Sequence, residues 1–487
     1  MAAASTRAAL FWSFAERYAN LLVSIGGMVI LSRLLTPAQV GVYSLCAAVT
    51  VVAGILRDFG VSEYLIQEKE LTRDRIRSAL GLSIIVAWSV GLLIFAGRDW
   101  MAVYYGEPGV HAVLGVLTLN FLLLPFTSPA YALLSREMAF RKLFILQFAS
   151  NLVSTSTGLL LAWRGHGFMA LAWMPVASIA TQTLLMQWLR PEQSRVLPGL
   201  REARRVLAFG WMFVTTRFVE VFSRNAHEPA VAKQFGFESV GLFSRAYGLV
   251  EMVNSNLISA IVQVATPKFA AENRAGQRLD ESFATATSLL TGVSWPFYCY
   301  IAIMAEEIIR FMFGAQWVGA SHLASILALT AVLGTSFALA PQLLSATGHV
   351  KERMHINIVA AALHVVFVLV AMTISLEAVA CTWFASSSVK LALYLRQLHK
   401  SYGLSPWRNL SRCGGSLVLA LASSAGVYAG ALVSRRLDLP ALVSLLVAGA
   451  LGAAAWWLAA HRSGHPAAAE VARIVGGVRG RFVKSPA

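Results

Sequence analysis

The chain has 487 residues, of which 57% are hydrophobic and 13% are charged, and its formal net charge at pH 7 is +16. This composition excludes an ordinary soluble protein of several domains and is typical of an integral membrane protein. Membrane topology and attraction to anionic lipid account for the positive charge, so nucleic acid is not expected as a partner.

About fourteen apolar windows follow one another along the chain, each long enough to cross the hydrocarbon core as a helix of about 20 residues. The sequence therefore predicts an all-α integral membrane protein with about 14 transmembrane helices. The windows lie near residues 12–35, 41–62, 78–97, 111–134, 143–163, 167–189, 206–230, 240–264, 283–305, 320–345, 354–375, 377–398, 413–434 and 439–460.

The positive charges predict how the chain is oriented. Most of the 40 lysines and arginines lie before the first window, after each even-numbered window and after the last one. Lysine and arginine accumulate in cytoplasmic loops, so both termini are predicted to be cytoplasmic.

The stretch 206–247 carries charges inside an apolar span. Arg217, Glu220, Arg224 and Glu228 are spaced by 3, 4 and 4 residues, which predicts that they share one helical face. A charge at membrane depth costs somewhere between about 2.5 and 17 kcal/mol, so this face cannot point at lipid. We expect it to face a polar cavity or polar partners inside a helical bundle.

The same stretch matches an earlier one at an offset of 200 residues. Arg217 falls on Arg17, Lys233 on Arg33, and the segment 240–244 (VGLFS) on 40–44 (VGVYS). An internal repeat is predicted, and because an even number of windows precedes the second copy, both copies enter the membrane in the same direction.

The repeat predicts two six-helix lobes, related by a pseudo-two-fold axis along the membrane normal, followed by two C-terminal helices. The predicted parts are an N-terminal lobe with spans 1–6 (1–190), a cytoplasmic basic linker (191–205), a C-terminal lobe with spans 7–12 (206–400), spans 13–14 (401–460) and a cytoplasmic basic tail (461–487).

Arginines inside the predicted spans are candidate anion ligands, because the planar guanidinium binds oxyanions with two hydrogen bonds and stays charged. Structural pairing of these arginines with Glu16, Glu220 and Glu228 is an alternative that the sequence leaves open. The candidates are Arg17, Arg217, Arg224 and Arg245.

A second group of charged residues is predicted to form a gate or to carry a coupling ion. It comprises Arg57, Asp58, Glu220 and Glu251. For Arg57 and Asp58, a plain ion pair near the inner surface is the alternative.

Enzymatic motifs are absent from the sequence: it has no HExxH, no GxxxxGK[ST] and no GxSxG, and its four cysteines stand singly in separate spans. We therefore expect no enzymatic activity, no metal site and no cofactor. Without an ATP site, transport would draw on an ion gradient such as H⁺ or Na⁺, on the membrane potential or on the substrate gradient.

Three stretches carry a family resemblance: LSRLLTPAQVGVYSL, RDFGVSEYLIQEKEL and FESVGLFSRAYGLVEMVNSNLISAIVQVATPKFA. Over roughly residues 8–400 the chain resembles the polysaccharide transporter family, the Wzx-type flippases, of the multidrug/oligosaccharidyl-lipid/polysaccharide exporter superfamily. The resemblance implies two six-helix lobes, often with two further helices, around a central cavity.

The resemblance also implies a function in the bacterial inner membrane. Undecaprenyl-diphosphate-linked oligosaccharide would be translocated by alternating access for an exopolysaccharide, O-antigen or capsule. The cavity cations carried over by motif position, Arg17, Arg217, Arg224 and Arg245, would hold the diphosphate. Membrane lipids and the polysaccharide polymerase or export machinery are the further partners expected, and a monomer suffices.

Three other functions stay open from the sequence. An ion-coupled multidrug exporter of the same superfamily would favour acidic cavity residues. A non-transporting scaffold of a polysaccharide synthesis complex would not need the cavity charges. A membrane glycosyltransferase or polymerase is disfavoured by the short extracytoplasmic connections and the lack of paired carboxylates. The glycan, the coupling ion and the surface polysaccharide served are not specified.

Overall fold

The computed structural model describes residues 2–189, 197–405, 411 and 413–473, with side chains from Tyr18 onward except at 212, 213, 216 and 260. Every regular element in this part of the chain is a helix. Lipid offers no hydrogen-bond partners, so a spanning backbone must pair its own N–H and C=O groups, and a helix does this within one segment. The predicted all-α membrane class is confirmed.

The chain divides into two compact units, Met1–Gly241 and Leu242–Ala487. The first unit ends inside a helix whose backbone is non-helical at Gly236. Its helices are α1 (Ala2–Leu34), α2 (Pro37–Asp58), α3 (Val61–Gln67), α4 (Arg73–Tyr105), α5 (Pro108–Leu117), α6 (Leu119–Leu123), α7 (Ser128–Arg136), α8 (Phe140–Trp163), α9 (Phe168–Leu189), α10 (Ala203–Asn225) and the first part of α11 (His227–Val253).

Among its described residues, the second unit contains the rest of α11, the helices α12 to α20 and a helical stretch at 466–473. A π-helical turn at Asn254–Ile258 follows α11, and a 3₁₀ turn at Ala315–Ala320 precedes α15. The helices are α12 (Ser259–Arg274), α13 (Asp280–Ile303), α14 (Ala305–Met312), α15 (Ser321–Thr335), α16 (Ala340–Ala346), α17 (Val350–Ala371), α18 (Leu376–Tyr402), α19 (Gly414–Arg436) and α20 (Ala441–Arg462).

Each predicted window falls on one or more of these helices, and Gly236 lies in the gap between the seventh and eighth windows. Within the described residues, ten helices are long and apolar enough to cross a membrane, or up to twelve when two bent pairs each count as one span. The number fourteen is thus not confirmed. The predicted linker and tail lie partly outside the described residues, at 190–196 and 474–487, and the lobe boundaries stay predictions.

Two glycines bring the backbones of α2 and α11 into direct contact. A β-carbon at Gly41 would lie 1.8 Å from the carbonyl oxygen of Phe237, and one at Gly241 would lie 1.9 Å from that of Pro37. Phe237 and Gly241 stand 200 residues after Pro37 and Gly41. The contact is therefore reciprocal between positions that the predicted repeat makes equivalent, which supports the repeat.

An ion cluster holds the chain between α2 and α4 to the start of α10. The carboxylate of Glu68, whose side chain is 10% exposed, lies 3.4 Å from Arg75 and 3.3 Å from Arg205. Arg136 donates to the backbone oxygens of Leu65 and Lys69 at 3.0 and 3.3 Å. The Glu68 carboxylate thus joins the loop before α4 to the start of α10, and Arg136 of α7 binds the backbone of the same loop.

The described part of the predicted linker lies along the start of α4. Gly199 N–H donates to the Arg77 carbonyl at 2.9 Å, and Arg77 Nε donates to the Leu197 carbonyl at 3.1 Å. The backbone N–H of Glu202 donates to Ser78 Oγ at 2.9 Å. The linker residues from 197 onward therefore belong to the packed structure of the first unit.

The residues after α20 also pack against their own unit. His465 Nε2 lies 2.9 Å from Ser288 Oγ in α13 and 3.2 Å from Ser416 Oγ in α19. Gly292 leaves room for the imidazole, because a β-carbon there would lie 2.6 Å from His465 Cε1. The predicted basic tail thus begins with a buried anchor, and 466–473 is helical.

Replacing Gly41 by alanine tests the glycine contact. The new methyl group must displace the backbone of α11, and overpacking of this kind costs roughly 1–3 kcal/mol. We expect the detergent-purified variant to lose its main gel-filtration peak at a lower temperature than the parent. Gly97→Ala in α4 is the matched control, because a β-carbon there meets nothing within 4 Å. Equal thermal stability of the two variants would contradict the close contact.

Glu68 gives a pH-dependent prediction. Burial alone would raise the pKa of its carboxyl group, but Tyr64 and the guanidinium groups of Arg205 and Arg75 outweigh it, so the pKa lies below its usual value. A lowered folded-state pKa contributes stability above the unfolded pKa, and this stability is lost as the pH falls through the folded pKa.

We therefore expect Glu68→Gln to lower the unfolding temperature at pH 7, and the difference from the parent to shrink as the pH is lowered below about 4. Thermal unfolding of the parent and of Glu68→Gln, measured at pH 7 and at a pH below about 4, tests this expectation. Glu70→Gln, in the same loop and exposed, should change little. A difference between Glu68→Gln and the parent that is the same at both pH values would refute the role of ionised Glu68.

Candidate functional site

A cavity of about 410 Å³ lies in the first unit, along one side of α2. Its wall includes residues of α2, of the segment from α5 through α6 and of α9 and α10. We call it the Arg57 cavity. Its lining is Tyr43, Ala47, Thr50, Val51, Gly54, Ile55, Arg57, Asp58, Leu117, Asn120, Phe121, Leu124, Pro175 and Val221.

The guanidinium of Arg57 is fixed from two directions. Its Nε donates to Asp58 Oδ1 at 3.0 Å, and its Cζ lies 5.0 Å from the centroid of the Phe121 ring. Its side chain is 18% exposed, whereas that of Asp58 is 49% exposed. Stacking on an aromatic ring leaves donors of the guanidinium available, so this group can bind an oxyanion in the cavity.

The end of α2 explains why Arg57 stands there. Phe59 and Gly60 both have left-handed backbone, with φ of 41° and 64°, and a left-handed residue ends a helix. Arg57 therefore lies in the last turn of α2, where a cation also complements the helix dipole. The last helical residue of α2 is accordingly Asp58, directly before Phe59.

The predicted cations of α10 lie near this cavity. Val221 lines it, and Arg217 precedes Val221 by four residues, so both share one side of the helix. Arg217 and Arg224 are exposed, and Glu220 is half-buried. The predicted stripe extends over two helices, because α10 ends at Asn225 and Glu228 belongs to α11, but Ala226 between them keeps right-handed helical backbone.

The other two predicted residues belong to the second unit. The Arg245 guanidinium lies 5.2 Å from the ring of Trp317 and 5.8 Å from that of Phe313, both fully buried. Glu251 accepts a hydrogen bond from Asn254 Nδ2 at 3.0 Å, next to the π-helical turn. π-Turns inside α-helices are frequent at functional sites. Arg245 thus packs on aromatic rings, and Glu251 has an oriented carboxylate.

Arg17 lies in α1, but its side chain is outside the described residues. Among the described residues that line the Arg57 cavity, Arg57 and Asp58 are the charged ones, and their formal charges cancel. The diphosphate role of Arg17, Arg217, Arg224 and Arg245, and the coupling role of Glu220 and Glu251, stay predictions. In the described part of the chain no group of three or more His, Cys, Asp or Glu side chains could hold a metal ion.

Sequence reasoning missed two lining residues that carry chemistry. Asn120 contributes a carboxamide, and Phe121 carries the ring under Arg57. A single asparagine inside an apolar window was the available signal, because a polar side chain at membrane depth needs an interior partner. Nothing in the pattern distinguished Phe121 from a packing phenylalanine.

The sequence profile of a family described as "Polysaccharide biosynthesis protein" matches residues 30–322, more than half of the chain. The chain belongs to this family. The predicted resemblance to polysaccharide transporters is thereby confirmed.

Two curated relatives of this polysaccharide biosynthesis protein share about a fifth of their aligned residues with it. TuaB of Bacillus subtilis, a teichuronic acid biosynthesis protein, is 22% identical over 66% of this chain and 67% of its own length. ExoT of Rhizobium meliloti, a succinoglycan biosynthesis transport protein, is 22% identical over 66% of this chain and 65% of its own. The match thus covers slightly less than two thirds of ExoT.

A solved structure of the lipid II flippase MurJ, in an inward closed conformation, has the same fold. The TM-score is 0.73 at 10% identity, and the match covers 93% of this chain and 99% of MurJ. At this identity the likeness shows the fold alone. The polysaccharide biosynthesis protein is therefore a multi-pass membrane protein that shares its fold with MurJ.

Proposed function

We propose that this protein translocates a polyprenyl-diphosphate-linked oligosaccharide across the bacterial inner membrane for surface polysaccharide synthesis. The observation that carries the proposal is Arg57, held over Phe121 in a cavity inside a spanning helix bundle of a polysaccharide biosynthesis protein. The transport role named for ExoT and the flippase fold of MurJ support it.

The chemistry of the substrate explains the arginine. A lipid-linked oligosaccharide carries its charge at the diphosphate, between an apolar tail and a hydrated glycan. Moving that charge through lipid requires a temporary cation, and arginine stays charged in a low-dielectric site. Arg57 would donate hydrogen bonds to the diphosphate. Asp58, which is half-exposed beside it, would then exchange its ion pair with Arg57 for hydrogen bonds to water.

The cavity volume fits a part of the substrate. A volume of about 410 Å³ lies in the range of ordinary small-ligand pockets, which is roughly 300–1,000 Å³. It accommodates a diphosphate with the adjoining sugar, while the prenyl tail stays in lipid. Arg217 lies one helical turn from the lining residue Val221. We propose that the diphosphate passes between Arg217 and Arg57 during translocation.

Energy coupling belongs to the proposal as well. Glu251, oriented by Asn254 beside the π-turn, and Asp58 beside Arg57 are the carboxylates to which we assign H⁺ or Na⁺ carriage. The protein acts without catalysing a covalent step, as a monomer, with both termini in the cytoplasm. Polymerase or export proteins would take the glycan afterwards.

Removing the Arg57 charge tests the site. Charge-assisted hydrogen bonds are worth about 1.5–3 kcal/mol, so Arg57→Ala should slow translocation about ten-fold or more. The assay uses liposomes with purified protein and a fluorescent undecaprenyl-diphosphate oligosaccharide, and it measures the rate at which an external quencher reaches the label. Arg57→Lys should be intermediate, because a lysine keeps the charge without the planar fork.

The same assay with Arg217→Ala tests whether Arg217 shares the diphosphate with Arg57. This variant should also lose most of the translocation activity. Arg436→Ala is the control, because this arginine is exposed at the end of α19. If Arg57→Ala translocates the substrate at the parent's rate, the Arg57 cavity is not the binding site, but the flippase function still holds. No translocation by the folded parent protein would favour a drug exporter or a scaffold instead.

A further inference from the structure

The C-terminal end of α4 carries a group of stacked side chains. The rings of Trp100 and Tyr104 are stacked, with centroids 5.4 Å apart and planes 18° from parallel. Lys233 of α11 donates from Nζ to the Tyr104 carbonyl at 2.6 Å and lies 4.1 Å from the centroid of the Tyr104 ring. We call Trp100, Tyr104 and Lys233 the aromatic stack.

The stack lies beyond the apolar part of its helix. α4 has 33 residues, about 50 Å at 1.5 Å per residue, whereas the hydrocarbon core is about 30 Å thick. The apolar window 78–97 ends at Arg98 and Asp99, so Trp100 and Tyr104 follow it. The orientation predicted from the lysines and arginines places this end outside the cytoplasm.

The stack is held rigidly but has a large free surface. Lys233 fixes Tyr104, and Tyr105, next in the helix, contacts the ring of Phe237 with centroids 6.5 Å apart. Trp100 is nevertheless 67% exposed. A rigid aromatic ring offers contact area to a ligand at a small cost in conformational entropy.

An exposed acidic side chain precedes Trp100 in α4. The Asp99 carboxylate lies 2.5 Å from His111 Nδ1 and is still 72% exposed. It can accept hydrogen bonds from hydroxyl groups, and it repels the phosphates of lipid headgroups. The Lys233 ammonium is engaged by the Tyr104 carbonyl and ring, so it is not aimed at lipid phosphate.

A sugar ring complements this arrangement. One face of a pyranose presents C–H groups with partial positive charge, which suit the negative face of an aromatic ring, and its rim presents hydroxyl groups, which suit a carboxylate. We infer that Trp100, Tyr104, Asp99 and Lys233 form a saccharide-binding surface that receives the oligosaccharide on the extracytoplasmic side. This inference rests on the proposed function, because it assigns a place to the glycan of that substrate.

Binding of a lipid-free glycan tests the surface separately from transport. The probe is the oligosaccharide released by mild acid from the source bacterium's own polyprenyl-diphosphate pool, titrated calorimetrically into the protein in nanodiscs. Trp100→Ala should weaken its affinity about ten-fold, since stacking and the buried area are both lost. Trp100→Phe keeps an aromatic face and should retain most of the affinity.

Trp163→Ala is the matched control, because Trp163 ends α8, on the same predicted side, and is 76% exposed. It should bind the probe as the parent does. Equal affinities of Trp100→Ala and Trp163→Ala, or no binding by the parent, would overturn the inference. Tryptophan fluorescence in nanodiscs with brominated phospholipid gives a second check. If the parent is quenched more than Trp100→Phe and all variants bind the glycan equally well, Trp100 contacts lipid, and the saccharide inference is overturned too.

The outcomes separate this inference from the proposed function. Glycan binding that depends on Trp100, in a protein that does not translocate the lipid carrier, would support the saccharide surface and contradict the flippase. Translocation that is intact in Trp100→Ala, together with unchanged glycan affinity, would support the flippase and discard the surface.

Discussion

The contact between Gly41 and the backbone of α11 is the constraint from which the first unit is built. Neither Gly41 nor Gly241 has space for a β-carbon, so two helix backbones touch with no side chain between them. Backbones this close cannot slide past each other without a steric clash. The contact fixes one end of α2, and Arg57 stands about 24 Å along the same helix, at 1.5 Å per residue. Helix stiffness thus links the crossing to the cavity.

Charged groups in the first unit have different tasks at different depths. Glu68 is enclosed by Arg75 and Arg205 and joins distant segments, so its charge is used within the fold. Among the described residues, Arg57 pairs through Nε with the half-exposed Asp58 and lies over the Phe121 ring, which leaves its terminal N–H groups available to an anion. Lys233 holds Tyr104 of the exposed aromatic stack and thereby supports the proposed saccharide surface. The partners of each charged group thus indicate whether its charge is used within the fold or is available to a ligand.

The sequence predicted the helices well and the site only in part. Hydropathy locates a span because any spanning helix must be apolar, and the 200-residue offset identified Gly41 and Gly241 as equivalent before their contact was known. Hydropathy cannot tell which apolar residue faces a cavity, because lipid and protein interior favour the same side chains, so Phe121 was missed. The stripe from Arg217 to Glu228 stays a prediction, because Ala226, between α10 and α11, keeps right-handed helical backbone with φ −65° and ψ −22°. Arg57 was predicted as a gate or ion-coupling residue, and only its neighbours revealed a cavity.

The reciprocity of the glycine contact also bears on ancestry. Position 41 meets residue 237, and position 241 meets residue 37, so each copy of the repeat offers the other the same patch. This is the signature of an isologous interface, in which two identical subunits meet around a two-fold axis. Two identical half-length chains around a two-fold axis would make this same reciprocal contact. In the single chain the two copies have diverged, so that Phe237 stands at the position equivalent to Pro37.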